Sequence, residues 1–209
     1  MQSHALLDDK DIPHPPLEVI LTVCEEVGLL GASAMNLSEC KGRRLINIDS
    51  EEEGILTVGC AGGRRAACQI PVERNTQTGI LCHIRFSGLL GGHSGLEIHK
   101  KRGNGIELLG RFLLFLKKET DYALISMSGG IKENAIPKDS RASVLIPEKN
   151  LSCAKKAAET FLSYIKSEYG AADPDIRLEL TESTITTEAA LTEKSLHSVL
   201  TALTFIPCG

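Results

Sequence analysis

The chain has 209 residues, 42% of them hydrophobic and 24% charged, with a net charge of −4. That composition suits one large or two small globular domains, and it lacks the basic surplus needed to neutralise phosphates. Nucleic acid and anionic membrane are therefore set aside as partners, and no apolar run reaches the length of a membrane span.

The seven cysteines are odd in number and never spaced C-x-x-C. They read as small buried thiols of a reducing cytoplasm, not as a disulfide framework or a zinc ribbon. The N-terminus, "MQSHALLDDKD", is polar and acidic and does not read as a signal peptide.

In chain order, Glu18 to Cys24 is a short apolar run that predicts a strand covered on both faces, as in an α/β sheet. A short helix is expected around Met35 and Leu37. "RLINID", Arg44 to Asp49, predicts a second strand, and a third follows Gly54 and stops at Gly62 and Gly63. A domain boundary is expected near Gly62–Arg65.

Beyond it, "RRAACQIPVE" predicts a strand, and "GILCHIRFSGLLGG", Gly79 to Gly92, alternates as a half-solvated strand does. Ile106, Leu108, Leu109, Phe112, Leu113 and Leu116 have helical spacing. "YALISMSGG" predicts a strand, and "AIPKDSRASVLIP" another with a polar interruption. A helix is expected from Leu151 to just before Gly170, and "DIRLELTE" as the next strand. From Gly79 onward this order is βαββαβ, that of a ferredoxin-like sandwich: a four-stranded antiparallel sheet with two helices on one face. "EKSLHSVLTALTF" adds an amphipathic helix.

Two features carry candidate chemistry. Glu25 and Glu26 stand side by side after an apolar run, and Asp49 ends another. Neighbouring side chains of an extended segment point apart, so one acid can hold a cation while the other takes a proton from bound water. Residue type and spacing leave two readings open: a hard-cation or zinc site, or solvated turn residues. "SEEE", at 50–53, reads as an exposed turn. The second feature is "SGLLGGHSGLEIHKKRGNG", in which glycines bracket His93 and let backbone approach a ligand. His93 reads either as a hydrogen-bond donor to an oxyanion or as a surface group.

Together, "LTVCEEVGLLGA", "LINIDSEEEG", "GCAGG", "GLLGGHSGLEIHKKRGNGIELLGR" and "IKENAIP" resemble the aminoacyl-histidine dipeptidases, zinc metallopeptidases of the carnosinase and carboxypeptidase G-like superfamily. The resemblance implies an α/β fold class: a partial catalytic α/β sheet over residues 1–63, then a ferredoxin-like βαββαβ lid domain over 64–209. It implies hydrolysis of Xaa-His dipeptides in the cytoplasm at a two-zinc centre, with manganese or cobalt as other metals such a centre accepts. Glu25 matches the general base, Glu26 and Asp49 match metal ligands, and His93 and Asn134 match lid residues that meet the substrate. A homodimer is also implied, since some family members place the lid histidine in a neighbouring subunit's site.

The family's His-x-Asp pair, its bridging Asp and its C-terminal histidine ligand have no counterpart here. His4 and His14 lie in the wrong context, and His197 falls on a predicted helix. The chain therefore reads as an internal segment, truncated near its C-terminal end, and is expected to bind zinc weakly and hydrolyse little alone. Two other readings stand beside this one: a non-catalytic dimerisation or small-ligand-binding module, and an amidohydrolase or deacylase of the same superfamily.

Overall fold

The computed structural model describes residues 8, 9, 11–48, 53–59, 62, 64 and 66–207. The chain divides into two compact units, Met1–Arg64 and Arg65–Gly209.

In the first unit the three runs predicted as strands are irregular wherever they are described. A strand of a parallel sheet bonds along both edges and buries both faces. Here Leu45 is 85% exposed and Leu56 94%, so among the described residues these apolar side chains have no layer to pack against. An apolar run without a neighbouring ladder has no reason to extend.

The order this unit does have is local. A one-turn helix, α1 (Leu30–Ala34), is tied to the loop before it, where Gly31 N donates to Val23 O at 3.0 Å. A Cβ on Gly31 would lie 2.6 Å from that oxygen, so the approach requires glycine. Asn36 caps a short 3₁₀ turn, Leu37–Glu39. The Glu18 carboxylate accepts from Lys41 N at 2.9 Å and from Gly42 N at 2.5 Å.

The second unit is a layered sandwich. Its strands are β1 (Arg74–Ser87), β2 (Gly92–His93), β3 (Ala123–Gly129), β4 (Ala135–Ile136), β5 (Ser140–Ile146) and β6 (Arg177–Leu191). Its helices are α2 (Gly105–Glu119), α3 (Leu151–Tyr169) and α4 (Glu193–Phe205). The main sheet has the order β3-β5-β1-β6, antiparallel throughout, while β2 and β4 pair separately. This is the expected βαββαβ sandwich.

Alternation decides which face is buried. Cys82, Ile84 and Phe86 of β1 are buried, while His83 and Arg85 between them are exposed. Leu108, Leu109, Phe112, Leu113 and Leu116 of α2, and Ala154, Ala157, Ala158, Phe161 and Ile165 of α3, join them in one core. Three alanines on α3 leave room for the larger side chains opposite. The rings of Phe86, Phe112 and Phe161 meet at 5.4–6.4 Å between centroids, at tilted or edge-on angles favoured by aromatic quadrupoles. Arg111 reaches across from α2 and donates to both oxygens of Glu168, at 3.0 and 2.6 Å.

Three boundaries differ from the sequence expectation. "RRAACQIPVE" is irregular as far as Glu73 where it is described, and the strand begins at Arg74. Pro71 lacks an N–H to give to a ladder. β6 continues past Glu182 to Leu191, because its Thr-rich stretch pairs with Arg74–Gly79. The single strand expected across "AIPKDSRASVLIP" is two, β4 and β5, parted by Pro137, Lys138 and Asp139.

Asn104 starts α2: its Oδ1 accepts from Ile106 N at 3.0 Å and Glu107 N at 3.3 Å. Glu107 in the first turn and Lys117 and Lys118 in the last complement the helix dipole. Asn104→Ala is expected to lower stability by about 1 kcal/mol, seen as a lower urea midpoint at unchanged slope. An unmoved midpoint would mean that the cap contributes nothing.

Candidate functional site

Glu25 and Glu26 lie on a turn, not at the end of a strand, and both are exposed. Gly28 N and Leu29 N donate to Glu25 O at 3.1 and 3.0 Å, closing the turn beneath them. Cys24 and Leu29 on either side have φ of 57° and 58°, a left-handed conformation that non-glycine residues adopt at a cost of about 1–2 kcal/mol. Asp49 falls outside the described residues, as do Glu51 and Glu52. Among the described residues no group of three or more His, Cys, Asp or Glu side chains gathers as a metal site. Among the described residues Glu26 is therefore one candidate ligand without a set around it.

His93 and Asn134 are brought together. β2 and β4 form a two-rung ladder in which His93 faces Ala135 and Gly92 faces Ile136. Ser94 N donates to Asn134 O at 2.9 Å, so the two candidate substrate-contacting residues stand on adjoining backbone, both exposed.

The ring of His93 is oriented by its own loop. Gly95 N and Leu96 N both donate to His93 Nδ1 at 3.1 Å. A nitrogen that accepts two N–H bonds carries no proton, so the neutral ring holds its proton on Nε2. In that form the exposed His93 offers Nε2–H as a donor.

The glycines are explained by close approach. Gly91 and Gly92 have φ of 65° and 140°. A Cβ on Gly92 would lie 2.6 Å from Glu97 Oε2 and 2.7 Å from Arg102 Nη1, and one on Gly91 would lie 2.9 Å from Ile136 O. The backbone passes so near Glu97 because that carboxylate accepts from His93 N at 2.9 Å.

Glu97 also accepts from Lys100 Nζ at 2.5 Å and Arg102 Nη1 at 3.3 Å, and Arg102 Nη1 donates to Gly91 O as well. The Lys100 ammonium, then the His93 amide, draw the Glu97 carboxyl down to about 2. Glu97 and Arg102 were absent from the sequence expectation. The signal available was the spacing "HSGLE", which lets a carboxylate reach back to the amide four residues earlier.

Because the folded carboxyl lies below its ordinary value of 4.5, its contribution is full above pH 4.5 and is lost as pH falls through 2. The His93 amide resonance is expected to titrate with a midpoint near pH 2, and Glu97→Gln to abolish that titration. A midpoint near 4.5 would show the carboxylate free of Lys100 and His93. The group is partly exposed, so added salt should raise the midpoint.

Residues 84–173 match the family model of the peptidase dimerisation domain. The loop-borne His93 and its short ladder lie within the residues that match this model. More particularly, the chain is similar to two dipeptidases. It is 35% identical over 207 residues to the cytosol non-specific dipeptidase of Escherichia coli K12. It superimposes on the crystal structure of aminoacylhistidine dipeptidase from Vibrio alginolyticus with a TM-score of 0.74 at 33% identity. Both comparisons cover 98% of this chain and 42% of the relative, so the chain spans about two fifths of their length. No helix among the described residues is long and apolar enough to cross a membrane.

Proposed function

We propose that this chain belongs to a cytoplasmic metal-dependent dipeptidase that hydrolyses Xaa-His dipeptides, acting as a homodimer. In this reading residues 64–209 are the lid and residues 1–63 are part of the catalytic domain. His93 donates a hydrogen bond from Nε2–H to the scissile carbonyl oxygen as negative charge develops there, and Asn134 helps hold the substrate. Glu25 serves as the general base, and Glu26 and Asp49 as ligands of zinc, with manganese or cobalt as alternatives. Because the described residues do not complete a metal set, the chemistry they support is that of the His93 loop.

The observation that carries the reading is the double N–H bond into His93 Nδ1, which leaves a fixed donor at Nε2. A surface histidine with no task gains little from a loop that dictates its tautomer. The similarity to two dipeptidases supports the substrate class.

The test is a competition assay on the natural gene product: hydrolysis of Ala-His and Gly-His against dipeptides without histidine and against N-acetyl amino acids. Preferential cleavage of Xaa-His is expected. Faster cleavage of N-acetyl amino acids would move the assignment to a deacylase, and no hydrolysis of any of them, with a dimer by light scattering, would leave only the dimerisation role.

A further inference from the structure

The His93 loop has a buried anchor that lies far away in sequence. Asp173 is fully buried in the turn between α3 and β6. Its Oδ1 accepts from Leu90 N at 2.7 Å and its Oδ2 from Gly103 N at 2.6 Å. These two amides are the feet of the loop that carries His93, and one carboxylate holds both. The turn is itself fixed, since Asp173 N donates to Tyr169 O at 2.7 Å and Ile176 N donates to Asp173 O at 3.2 Å.

The chain of contacts from anchor to ring is short. Leu90 leads into Gly91, whose carbonyl oxygen accepts from Arg102, and Arg102 precedes Gly103. The same Arg102 holds Glu97, and Glu97 holds the His93 amide. The loop base therefore takes its position from the end of α3 and the start of β6, not from solvent-exposed backbone.

We propose that Asp173 is a positioning residue for His93: by clamping Leu90 N and Gly103 N together it sets the placement of the imidazole and the direction of its Nε2–H. The carboxylate gives each of the two N–H donors an oxygen of its own. Asparagine would turn an N–H against one of them, and alanine would leave both unpaired in a buried site. The proposal rests on the reading that His93 donates to the substrate carbonyl, and it is tested separately from that reading.

The first experiment needs no activity. In long-range ¹⁵N spectra of the 209-residue chain, His93 should show an unprotonated Nδ1 and a protonated Nε2. Asp173→Asn should move both nitrogens toward the averaged shifts of a mixed tautomer. Amide exchange at Gly95 and Leu96 should rise about tenfold, equivalent to one lost hydrogen bond.

Gly103→Ala gives the same readout with the carboxylate intact, should the first variant fail to fold. Its Cβ would meet Leu89 Cδ2 at 3.0 Å and Leu108 Cδ1 at 3.1 Å and push the same foot outward. An unchanged His93 spectrum and unchanged exchange in a folded variant overturn the proposal.

The second experiment is a cycle on the natural gene product. Asp173→Asn is expected to lower kcat about 10- to 100-fold with KM within about twofold, and to cost nothing further on a His93→Ala background. An equal loss on both backgrounds means that Asp173 does not act through His93. If His93→Ala alone leaves hydrolysis unchanged, the reading of His93 as substrate donor fails, while the spectra still decide whether Asp173 positions the ring.

Discussion

Truncating Phe112 to alanine is expected to lower the unfolding free energy by about 3–5 kcal/mol. Phe112 is fully buried where α2, β1 and α3 converge. Its ring meets Phe86 at 6.3 Å and Phe161 at 5.4 Å, so the truncation removes two aromatic contacts and leaves a cavity between sheet and helices. The rigid β1–β5–β6 framework limits how far that cavity can collapse, which puts the cost toward the upper end.

Phe115 lies one helical turn along, only partly buried, against Phe161 and Tyr164. Phe115→Ala should cost less, about 1–2 kcal/mol, because solvent fills part of the space. The chain has no tryptophan, so helix circular dichroism in urea is the suitable probe. Against a typical total of about 5–15 kcal/mol, the Phe112 loss should bring the second unit near the edge of folding. A loss under about 1 kcal/mol would mean that the three rings are not its core.

The second unit was legible because its elements obey local rules. α2 has its apolar residues on one face and Asn104 as cap, and α4 matches the predicted segment at both ends. β1 alternates cleanly, so its buried face could be read residue by residue. The first unit was not legible in this way. Val23 and Ile46 look like strand residues, yet strand formation is a property of a pair, and the described residues form no ladder there. The same limit explains why β6 outran its predicted end at Glu182: the extra length depends on Arg74–Gly79 lying opposite.

The site divides along the same line. His93 stood out because glycine on both sides has a local physical meaning, and the positive φ at Gly91 and Gly92 is what those glycines serve. Glu97 was within reach of a local argument, being four residues from His93. Asp173 was not: its bonds run to Leu90 and Gly103, 83 and 70 residues earlier, and nothing in "AADPD" points to them. The adjacency of His93 and Asn134 likewise depends on a ladder that neither segment announces alone. Long-range hydrogen bonds to backbone amides have no signature in residue type, because every residue but proline offers the same N–H.

On the proposed function, His93→Ala should lower kcat about 10²- to 10³-fold, equivalent to some 2.7–4 kcal/mol of transition-state stabilisation, with a small change in KM. The loss falls on kcat because the donor is aimed at charge that exists only as the carbonyl becomes tetrahedral. His93→Gln separates the donor from its orientation. Glutamine retains an N–H donor but gives no acceptor fixed by Gly95 N and Leu96 N, so it should recover at most about tenfold. Steady-state hydrolysis of an Xaa-His dipeptide by the natural gene product measures both variants. Full recovery by glutamine would mean that a hydrogen-bond donor suffices and that the two amides on Nδ1 have no catalytic consequence. A loss below about threefold in the alanine variant would remove His93 from the reaction. The larger effect is expected because an exposed histidine is otherwise free to turn and to exchange its tautomer. Two backbone amides, four residues of loop and the Glu97 carboxylate all act to stop it doing either.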